Sequence, residues 1–432
     1  MRFLITVTLL LCALSSQAVE LTLTRALELA ETHSHTRKQA QANSAAAART
    51  VTATRAERFP TLAASAYATR VDEIPILDIE IPRLFSIRRE IGTLEHYQAD
   101  LRVTLPVWTG GRIGSAIALA RANRTYWQAL ESLDLNALQY ATRTEYFGLY
   151  RSLRLREAAD ASLKRTAIIR MDVRSMYAAG VVDSVDILEA NLAFTTADFA
   201  ARQADILVRT AEIHLLTRLG LTTGERLILI DSVPEPPLYL TAYPGSTERP
   251  EKLAAQAGID LNAARVRQEK AEYFPTVAIF GGYAYGKPNQ NMFEDKWNDY
   301  FTIGASLSWK FNLGFKTKQN TARAGLELEA ARHYYQRVDE QVTQEGRLAF
   351  EQLKMAHEQY MRTREEHRIA RANYDLASSR HVEGDLSSNR LLEIETTLTT
   401  AESALAAAVA DFYIAESAYL YTIGSENLGK GL

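Results

Sequence analysis

Two stretches of the chain alternate apolar and polar residues with a period of two, the pattern of an amphipathic strand. They run through residues 97–107 and 301–311, and partner strands are predicted at 62–70 and 277–285. Each stretch has the roughly 9 to 11 residues that a tilted strand needs to cross a membrane. The apolar positions are Tyr97, Ala99, Leu101, Val103, Leu105 and Val107 in the first stretch, and Phe301, Ile303, Ala305, Leu307, Trp309 and Phe311 in the second.

The strands of a soluble β-sandwich show the same alternation, which is the alternative interpretation. Aromatic residues near the strand ends favour the membrane, because such residues form girdles at both membrane interfaces. These residues are Trp108, Trp297, Tyr300, Phe301 and Trp309.

Apolar residues at alternating steps of three and four predict long helices that pack side by side as coiled coils. No proline interrupts residues 112–178, so this run predicts a helix of about 100 Å at 1.5 Å per residue. One seam comprises Leu188, Leu192, Thr195, Phe199, Arg202, Ile206, Arg209, Ile213 and Leu216, and the other Leu391, Ile394, Leu398, Ala401, Leu405, Ala408, Phe412, Ala415 and Tyr419.

The two halves of the sequence repeat each other. Phe59-Pro60 recurs as Phe274-Pro275, and the segment that follows this pair is 11 residues longer in the first half, as a variable loop would be. Each repeat is predicted to contain a helix, two strands, a very long helix, a glycine turn and a return helix. Six further residues recur at an offset of 204: Gly110, Arg112, Gly180, Leu188, Glu189 and Gly220 correspond to Gly314, Lys316, Gly384, Leu392, Glu393 and Gly424.

These matches predict a first repeat at 19–224 and a second at 247–424, with a C-terminal tail at 425–432. The segment between them, 225–246, contains four prolines, which stop helices and favour extended chain. We interpret it as a linker, and an additional contribution of strands stays open.

The N-terminus has the three parts of a secretory signal peptide, predicted at residues 1–18. Arg2 is followed by an apolar run at 3–14 and small residues at the end of the segment. An uncleaved membrane anchor is disfavoured, because a spanning helix needs roughly 20 apolar residues. Cys12 is the only cysteine, so the mature protein would have no disulfide. Lipid attachment to Cys12 is disfavoured by the large Leu11 before it.

Charge and motifs argue against nucleic-acid binding and against catalysis. Without residues 1–18 the chain has 48 basic and 52 acidic residues, a net charge of −4, which does not indicate a nucleic-acid partner. The sequence contains no HExxH motif, no phosphate-binding glycine loop and no nucleophile constellation. We therefore predict no enzyme activity, no cofactor and no metal. His33 and His35 would diverge on a helix, which favours solvated side chains over a metal pair.

Four strands cannot close a barrel, and open strand edges are not tolerated in lipid. Two copies would give eight strands with a filled interior, whereas three would give twelve strands around a lumen. We therefore expect a homotrimer. The predicted fold is mixed and mainly α: a long antiparallel α-helical coiled-coil barrel, with four strands per chain contributed to a trimeric transmembrane β-barrel.

Three features resemble the TolC-like outer-membrane factor family of outer membrane efflux proteins: the duplicated Phe-Pro pair, the segment 105–112 (LPVWTGGR) and the turn at 177–188. The resemblance covers nearly the whole mature chain, including Leu219-Gly220 and Ile423-Gly424. It implies an outer-membrane duct with a long periplasmic extension, which serves small-molecule efflux or type I secretion. It also implies a periplasmic adaptor and an inner-membrane pump as partners. In the second half, residues 309–316 lack the proline and the second glycine of the pattern.

The resemblance further implies where partners and a gate would lie. Contact with the adaptor is expected at the two helix turns, at Gly180, Val181, Val182, Gly384, Asp385 and Leu386. Family members often place acidic residues six and nine positions after the turn glycine, around the closed entrance. These candidate gate positions are Asp186 and Glu189 in the first half and Arg390 and Glu393 in the second. Arg390 could pair with Glu393 or Asp186 to hold the gate, and an ordinary solvated ion pair is the alternative.

The competing functional class is a periplasmic coiled-coil structural or adaptor protein without a pore. An adaptor usually shows one hairpin inserted in β-domains, so two equivalent hairpins joined to two strand pairs favour a duct. Drug efflux, metal efflux and protein secretion stay open.

Overall fold

The computed structural model describes residues 18–82, 85–221, 226–240, 249–288, 290 and 294–431. The predicted signal peptide, including Cys12, lies outside the described residues except for Ala18. Parts of the predicted linker, at 225 and 241–246, lie outside them as well.

The described chain is mainly helical, as predicted. None of its helices combines the length and the apolarity that crossing a membrane requires. The helices are α1 (Leu23–His33), α2 (His35–Ala56), α3 (Arg112–Ala178), α4 (Ser184–Leu219), α5 (Pro250–Ala271), α6 (Lys316–Val382) and α7 (Ser388–Thr422), followed by a 3₁₀ turn at Glu426–Gly429. The strands are β1 (Ala18–Leu21), β2 (Thr61–Arg70), β3 (Ile76–Ile81), β4 (Phe85–Glu90), β5 (Glu95–Trp108), β6 (Arg226–Leu229), β7 (Thr276–Lys287) and β8 (Asn298–Ser308).

The long helices follow the 204-residue offset of the sequence repeat. Helices α3 and α6 both have 67 residues, and adding 204 to the numbers of both ends of α3 gives the ends of α6. Helices α4 and α7 begin at Ser184 and Ser388, again 204 positions apart. Each of these return helices starts after a polar N-cap residue, Asp183 or Ser387, whose side chain accepts a hydrogen bond from an otherwise unpaired backbone N–H.

The chain forms two compact units. Unit 1 comprises Met1–Gln41, Leu130–Lys252 and Val338–Leu432, and unit 2 comprises Ala42–Ala129 and Leu253–Arg337. Each unit takes residues from both halves of the sequence, because the polypeptide passes between the units within α2, α3, α5 and α6. The repeat boundaries at 19–224 and 247–424 remain a prediction.

Unit 1 has its main core where α1, α3, α4, α6 and α7 pack together. The Asp231 carboxylate accepts hydrogen bonds from the Leu23 backbone N–H at 2.6 Å and from the Tyr146 hydroxyl at 3.1 Å. Burial and this neighbouring carboxylate raise the pKa of Tyr146. The largest fully buried side chains of this core are Tyr146, Phe147, Phe412, Leu21, Leu23, Leu149, Leu215, Leu216, Leu219 and Leu353.

The segment between the repeats contributes a strand to unit 1. Strand β6 pairs in parallel with β1, an arrangement that the sequence left open. Beyond β6, the Tyr413 hydroxyl donates to the Pro234 carbonyl at 2.9 Å, and the His357 ring donates to the Pro237 carbonyl at 2.7 Å. These bonds hold the proline-rich segment against α6 and α7.

Unit 2 contains an antiparallel sheet of four strands in the order β2, β5, β7, β8. Three strands lie where the sequence predicted them, but β8 ends at Ser308, so the predicted extension to Phe311 is wrong. Ser308 pairs with Thr276, the first residue of β7, and among the described residues the strand has no partner beyond it. The Trp309 indole instead donates to the Tyr273 carbonyl at 3.1 Å. The predicted variable loop of the first repeat contains a second hairpin, β3 and β4.

Candidate functional site

The register of the four-stranded sheet places apolar residues on one face. Residues that pair across neighbouring strands share a face, since side chains alternate along each strand. One row across β2, β5, β7 and β8 consists of Ala64, Leu101, Tyr283 and Phe301, and the next of Leu62, Val103, Gly281 and Ile303. This face is therefore continuous and apolar over all four strands.

The apolar face of the sheet is exposed in the single chain. Leu101 is 46% exposed, Phe301 68% and Ile303 76%. Monomeric soluble proteins rarely expose apolar patches of this kind, whereas a lipid-facing strand requires them.

The opposite face of the sheet is polar and internally hydrogen-bonded. The Tyr67 hydroxyl donates to the Gln98 side chain at 2.7 Å, and the Gln98 amide donates to the Asp100 carboxylate at 2.7 Å. Tyr300 belongs to this face as well, because it pairs with Ala284, which pairs with Asp100. Its assignment to an aromatic girdle is therefore wrong. A polar face behind an apolar one is the arrangement of a strand between lipid and an aqueous lumen.

Aromatic side chains gather at both ends of the sheet. Trp297 stacks on Tyr285 with ring centres 5.1 Å apart, next to the start of β8. At the other end, Trp108 meets Phe274 edge-on at 6.2 Å, and Trp309 follows the last residue of β8. This distribution matches the interfacial girdles of membrane strands.

A glycine makes the tight turn from β5 into α3 possible. Gly110 has φ +60°, and a Cβ there would lie 2.5 Å from the Phe274 Cβ and 3.1 Å from the Ala271 carbonyl oxygen. Only glycine fits beside the Phe-Pro pair of the second repeat. At the corresponding turn Gly314 faces open space, and Phe315 takes the left-handed φ of 55° instead.

The two helix turns predicted as adaptor contacts have the same backbone conformation. Gly180 and Gly384 adopt left-handed φ values of 72° and 83°. The N–H of Gly180 donates to the Tyr177 carbonyl at 3.0 Å, and that of Gly384 to the His381 carbonyl at 3.0 Å. Glycine at this position is a common C-cap of helices.

Both turns pack against one apolar cluster of unit 1. Val182 from the first turn and Leu386 from the second lie partly buried against it, whereas Gly180, Val181, Gly384 and Asp385 are exposed. The six predicted contact residues therefore lie close together. The buried members of the cluster are Ile169, Val173, Ala190, Ala377, Leu391, Leu392 and Ile394.

The four candidate gate residues have different environments. Arg390 and Glu393 form an ion pair at 2.6 Å, and their side chains are 60% and 66% exposed. Asp186 instead accepts a hydrogen bond from the Asp183 backbone N–H at 3.2 Å and completes a capping box. Glu189 is exposed and has no ion pair within the described part of the chain.

Three buried polar atoms near the second turn were missed by the sequence analysis. The His381 ring donates through Nδ1 to the Leu386 carbonyl at 2.8 Å. Its Nε2, the Ser388 hydroxyl and the Asn389 side-chain oxygen are buried without a hydrogen-bond partner. The only signal in the sequence was a histidine three positions before the turn glycine.

A buried ion cluster joins α3 to α7. The Arg165 guanidinium bonds to the carboxylates of Glu395 at 3.2 Å and Glu402 at 2.9 Å, and to the Thr399 hydroxyl at 2.9 Å. Burial lowers the pKa of Arg165, but the bonds and charges of the two carboxylates raise it by more. The partners lie more than two hundred residues apart, so local patterns could not predict them.

The two histidines at 33 and 35 lie on different helices. His33 ends α1 and His35 begins α2, with Ser34 between them. Among the described residues, no group of three or more histidine, cysteine or carboxylate side chains could hold a metal ion.

Comparison with known proteins gives one family match and several solved structures of the same fold. The sequence profile described as "Outer membrane efflux protein" matches residues 26–221 and 247–423. No curated protein sequence matches the chain.

Three of the solved structures are outer-membrane proteins, and two of them, OprN and MtrE, are described as channels. OprN is 21% identical, with 94% of this chain and 90% of that chain covered and a TM-score of 0.75. VceC of Vibrio cholerae is 16% identical, with 93% and 96% covered and a TM-score of 0.75. MtrE of Neisseria gonorrhoeae, solved in its open state, is 17% identical, with 94% and 89% covered and a TM-score of 0.75. At these identities the likeness establishes the fold.

Proposed function

Because the chain belongs to the outer membrane efflux protein family, we propose that it forms an exit duct for small molecules or for a type I secretion substrate. The TolC-like resemblance is confirmed, and the protein is an outer-membrane efflux channel. Its family and its structural neighbours are channels rather than enzymes. The observation that carries the duct proposal is the continuous, exposed apolar face of the sheet in unit 2.

A homotrimer is the assembly that we propose for the duct. Within the described chain, β2 and β8 each pair with a single strand of the four-stranded sheet. Their open edges would leave unsatisfied backbone groups in lipid. Three copies supply twelve strands, enough to close a barrel around a lumen.

The face assignment is tested by placing lysine on either side of the sheet. Leu101→Lys and Ile303→Lys should each cost about 2 to 4 kcal/mol if these residues face mid-bilayer lipid. Thr302→Lys is the matched control, because Thr302 adjoins Ile303 but lies on the polar face. The amount of trimer in the outer membrane is the measurement. Normal amounts for both apolar-face variants would contradict the assignment.

The alternative is a periplasmic coiled-coil structural or adaptor protein without a pore. Such a protein would need no lipid-facing sheet. Conductance of the purified protein in planar bilayers separates the two functions. Steady channel currents support the duct, and their absence from correctly folded trimer would favour the alternative.

We propose that the two helix turns contact a periplasmic adaptor, which in turn contacts an inner-membrane pump. Exposure of Val181 and of the turn glycines supports this proposal. Cysteines introduced at Val182 and Leu386, and at the more exposed Val181, should crosslink to an adaptor hairpin. A cysteine at Trp108 is the control. Crosslinking from the control site alone would contradict the proposal.

The exposed ion pair of Arg390 and Glu393 supports a role for charge at the entrance. With Arg390→Glu, repulsion between neighbouring carboxylates should loosen the entrance and increase cation selectivity. The matched control is Arg25→Glu, since Arg25 and Glu28 form a similar exposed pair at 2.9 Å. Single-channel recordings provide the measurement. Unchanged conductance and selectivity would mean that Arg390 and Glu393 form an ordinary solvated pair.

A further inference from the structure

The segment that follows β8 differs from its counterpart in the first repeat at two notable positions. The 204-residue offset aligns residues 309–316 (WKFNLGFK) with residues 105–112 (LPVWTGGR). In this alignment Leu313 takes the place of Thr109, and Phe315 takes the place of Gly111. The second repeat therefore has two large apolar side chains where the first repeat has a small polar side chain and a glycine.

The four apolar side chains of residues 309–316 are exposed in the single chain. Trp309 is 51% exposed, Phe311 71%, Leu313 92% and Phe315 68%. The rings of Trp309 and Phe311 lie side by side, with centres 4.6 Å apart. A cluster of apolar side chains this exposed is typical of a surface that contacts another molecule or a membrane.

Phe315 holds its exposed ring at a backbone position that favours glycine. Gly111 has a φ of 86° and Phe315 a φ of 55°, both in the left-handed region. Phe315 is the only non-glycine residue with a positive φ among the described residues. Bulky side chains rarely adopt this conformation, and residues that do so are concentrated at functional sites. The exposed ring of Phe315 is therefore a candidate for a function outside the chain.

The exposed positions continue the two-residue spacing of the lipid-facing residues of β8. Ile303 and Leu307 are exposed on the apolar face of that strand, and positions 309, 311, 313 and 315 follow at the same spacing. The segment lies between the end of β8 and the start of the long helix α6. Because the long helices form the periplasmic extension, this end of the sheet faces the periplasmic leaflet, where aromatic residues meet phospholipid headgroups.

Lysines between and beside the apolar residues supply positive charge. Lys310, Lys316 and Lys318 are exposed, and none of them forms an ion pair with a described residue. Lys316 lines a polar cleft together with Glu269 and Glu272, which offset its charge. Lys310 and Lys318 are therefore the lysines that we assign to an anionic headgroup, which long lysine side chains reach from an apolar surface.

We propose that residues 309–318, the anchor segment, insert into the periplasmic leaflet and bind anionic phospholipid. Phe311, Leu313 and Phe315 contact the acyl chains, and Lys310 and Lys318 contact the headgroup phosphate. Lipid is the occupant because the anchor segment is continuous with the lipid-facing strand and its lysines complement the phosphate charge. The proposal rests on the proposed duct with its lipid-facing sheet, and it adds a lipid contact that is specific to the second repeat.

Lipid quenching tests the insertion. The Cys12→Ser protein is reconstituted into vesicles of phosphatidylethanolamine and phosphatidylglycerol, with a fluorophore attached at Leu313→Cys or, as the matched control, at Thr109→Cys. Lipids that carry a spin label near the headgroup should quench the fluorophore at residue 313 but not the one at residue 109. Equal quenching at the two sites would overturn the proposal. Protection of residue 313 from spin-labelled lipid and from dissolved iodide alike would also overturn it, because a neighbouring copy would then cover the segment.

A fluorophore at Leu101→Cys reports lipid contact of the sheet independently. If lipid quenches the fluorophore at residue 101 but not the one at residue 313, the anchor segment is wrong and the duct stands. If lipid quenches neither fluorophore, the lipid-facing sheet and the proposed duct fail together with the anchor segment.

Phe315→Gly separates lipid contact from folding. This change restores the glycine of the first repeat, so the melting temperature in detergent should stay the same or rise. Quenching of the fluorophore at residue 313 by lipid should fall, because the segment loses an aromatic contact with the leaflet. A lower melting temperature with unchanged quenching would overturn the lipid contact of Phe315 and assign its ring to folding.

Headgroup preference tests the two lysines. Native mass spectrometry of the detergent-solubilised protein should show more bound phosphatidylglycerol than phosphatidylethanolamine. Lys310→Gln and Lys318→Gln should lower this ratio by up to about fivefold for each lysine removed. The matched control combines Lys38→Gln and Lys164→Gln, two exposed lysines of unit 1. Equal ratios in the parent, the double variant and the control would overturn recognition of the anionic headgroup.

Discussion

Helices α4 and α7 occupy equivalent positions in the two repeats, yet they bury different kinds of surface. Helix α4 buries eight side chains, four of them alanines, whereas α7 buries fourteen, including Glu395, Leu398 and Phe412. The cause is their neighbours within the chain. Helix α7 packs on α3, α6 and α4, and α4 packs on α3, α7 and α1. The same helix pattern thus has a covered face in one repeat and an open face in the other.

The largest effect should come from breaking the buried ion cluster that joins α3 to α7. Arg165→Ala would leave the carboxylates of Glu395 and Glu402 buried without their cation, a change that typically costs about 3 to 5 kcal/mol. Arg156→Ala is the control, because Arg156 and Asp205 form a long, half-exposed pair between α3 and α4 at 4.0 Å; its loss should cost less than about 1 kcal/mol. Urea unfolding in detergent, followed by circular dichroism, gives both values. Similar losses of unfolding free energy in Arg165→Ala and Arg156→Ala would mean that the buried ion cluster between α3 and α7 stabilises the chain no more than the exposed pair between α3 and α4.

Truncating one leucine in each helix should have the next largest effect. Leu398 in α7 is 0% exposed, and Leu398→Ala should destabilise the folded chain by about 2 to 5 kcal/mol through loss of buried surface and a cavity. Leu192→Ala in α4 should leave the dissociated chain nearly unchanged but weaken the trimer. Unfolding and sedimentation measured on the same samples separate these two effects. A large loss of chain stability from Leu192→Ala would mean that α4 is covered within the chain.

In unit 2, the glycine turns that precede α3 and α6 also differ, because Gly110 is crowded and Gly314 is not. Gly110→Ala must place a side chain at φ +60° and against Phe274, strain that costs on the order of 1 to 3 kcal/mol. Gly314→Ala faces open space and should be close to neutral. Thermal unfolding of the two variants measures the difference. Equal melting temperatures would show that the turn of the first repeat relaxes at no cost.

The smallest losses of stability are expected from changes at the N-cap residues of α4 and α7. Asp183 accepts bonds from the N–H groups of Val185 at 2.7 Å and Asp186 at 3.2 Å, whereas Ser387 accepts one from Arg390 at 3.4 Å. Asp183→Ala should cost about 1 kcal/mol, and Ser387→Ala less. Hydrogen exchange in the first turns of α4 and α7 reports the loss locally. A greater increase in hydrogen exchange in α7 of Ser387→Ala than in α4 of Asp183→Ala would mean that Ser387 is the stronger N-cap.

Local patterns predicted the long helices well, because helix formation depends on uninterrupted runs of suitable residues. The proline-free run from Arg112 to Ala178 is α3 in the structure. Period-two alternation predicted three of the four sheet strands and overextended the fourth, since a strand ends where its partner ends. In the loop of the first repeat, the alternation of Ile79 and Ile81 with charged residues was a signal for β3 that the prediction did not use.

Long-range contacts were beyond sequence reasoning. A heptad seam predicts that a helix face will be covered, but it does not predict which helix covers it. In α7 the seam is largely buried within the chain, whereas in α4 it is largely exposed. The Arg165 cluster and the buried atoms of His381, Ser388 and Asn389 likewise depend on how helices meet. The glycine turns came from the repeat in the sequence and the candidate gate positions from the family resemblance, and the roles of both remain predictions.

The pairing of β1 with β6 imposes an order on folding. Ala18 pairs with Arg226, 208 positions further along the chain, and closing so long a loop carries a large entropy loss before any contact repays it. We therefore expect residues 18–21, which are synthesised early, to be among the last to be fixed. A chain that stops before 226 would keep β1 as an open edge, the kind of surface that recruits strands from other molecules.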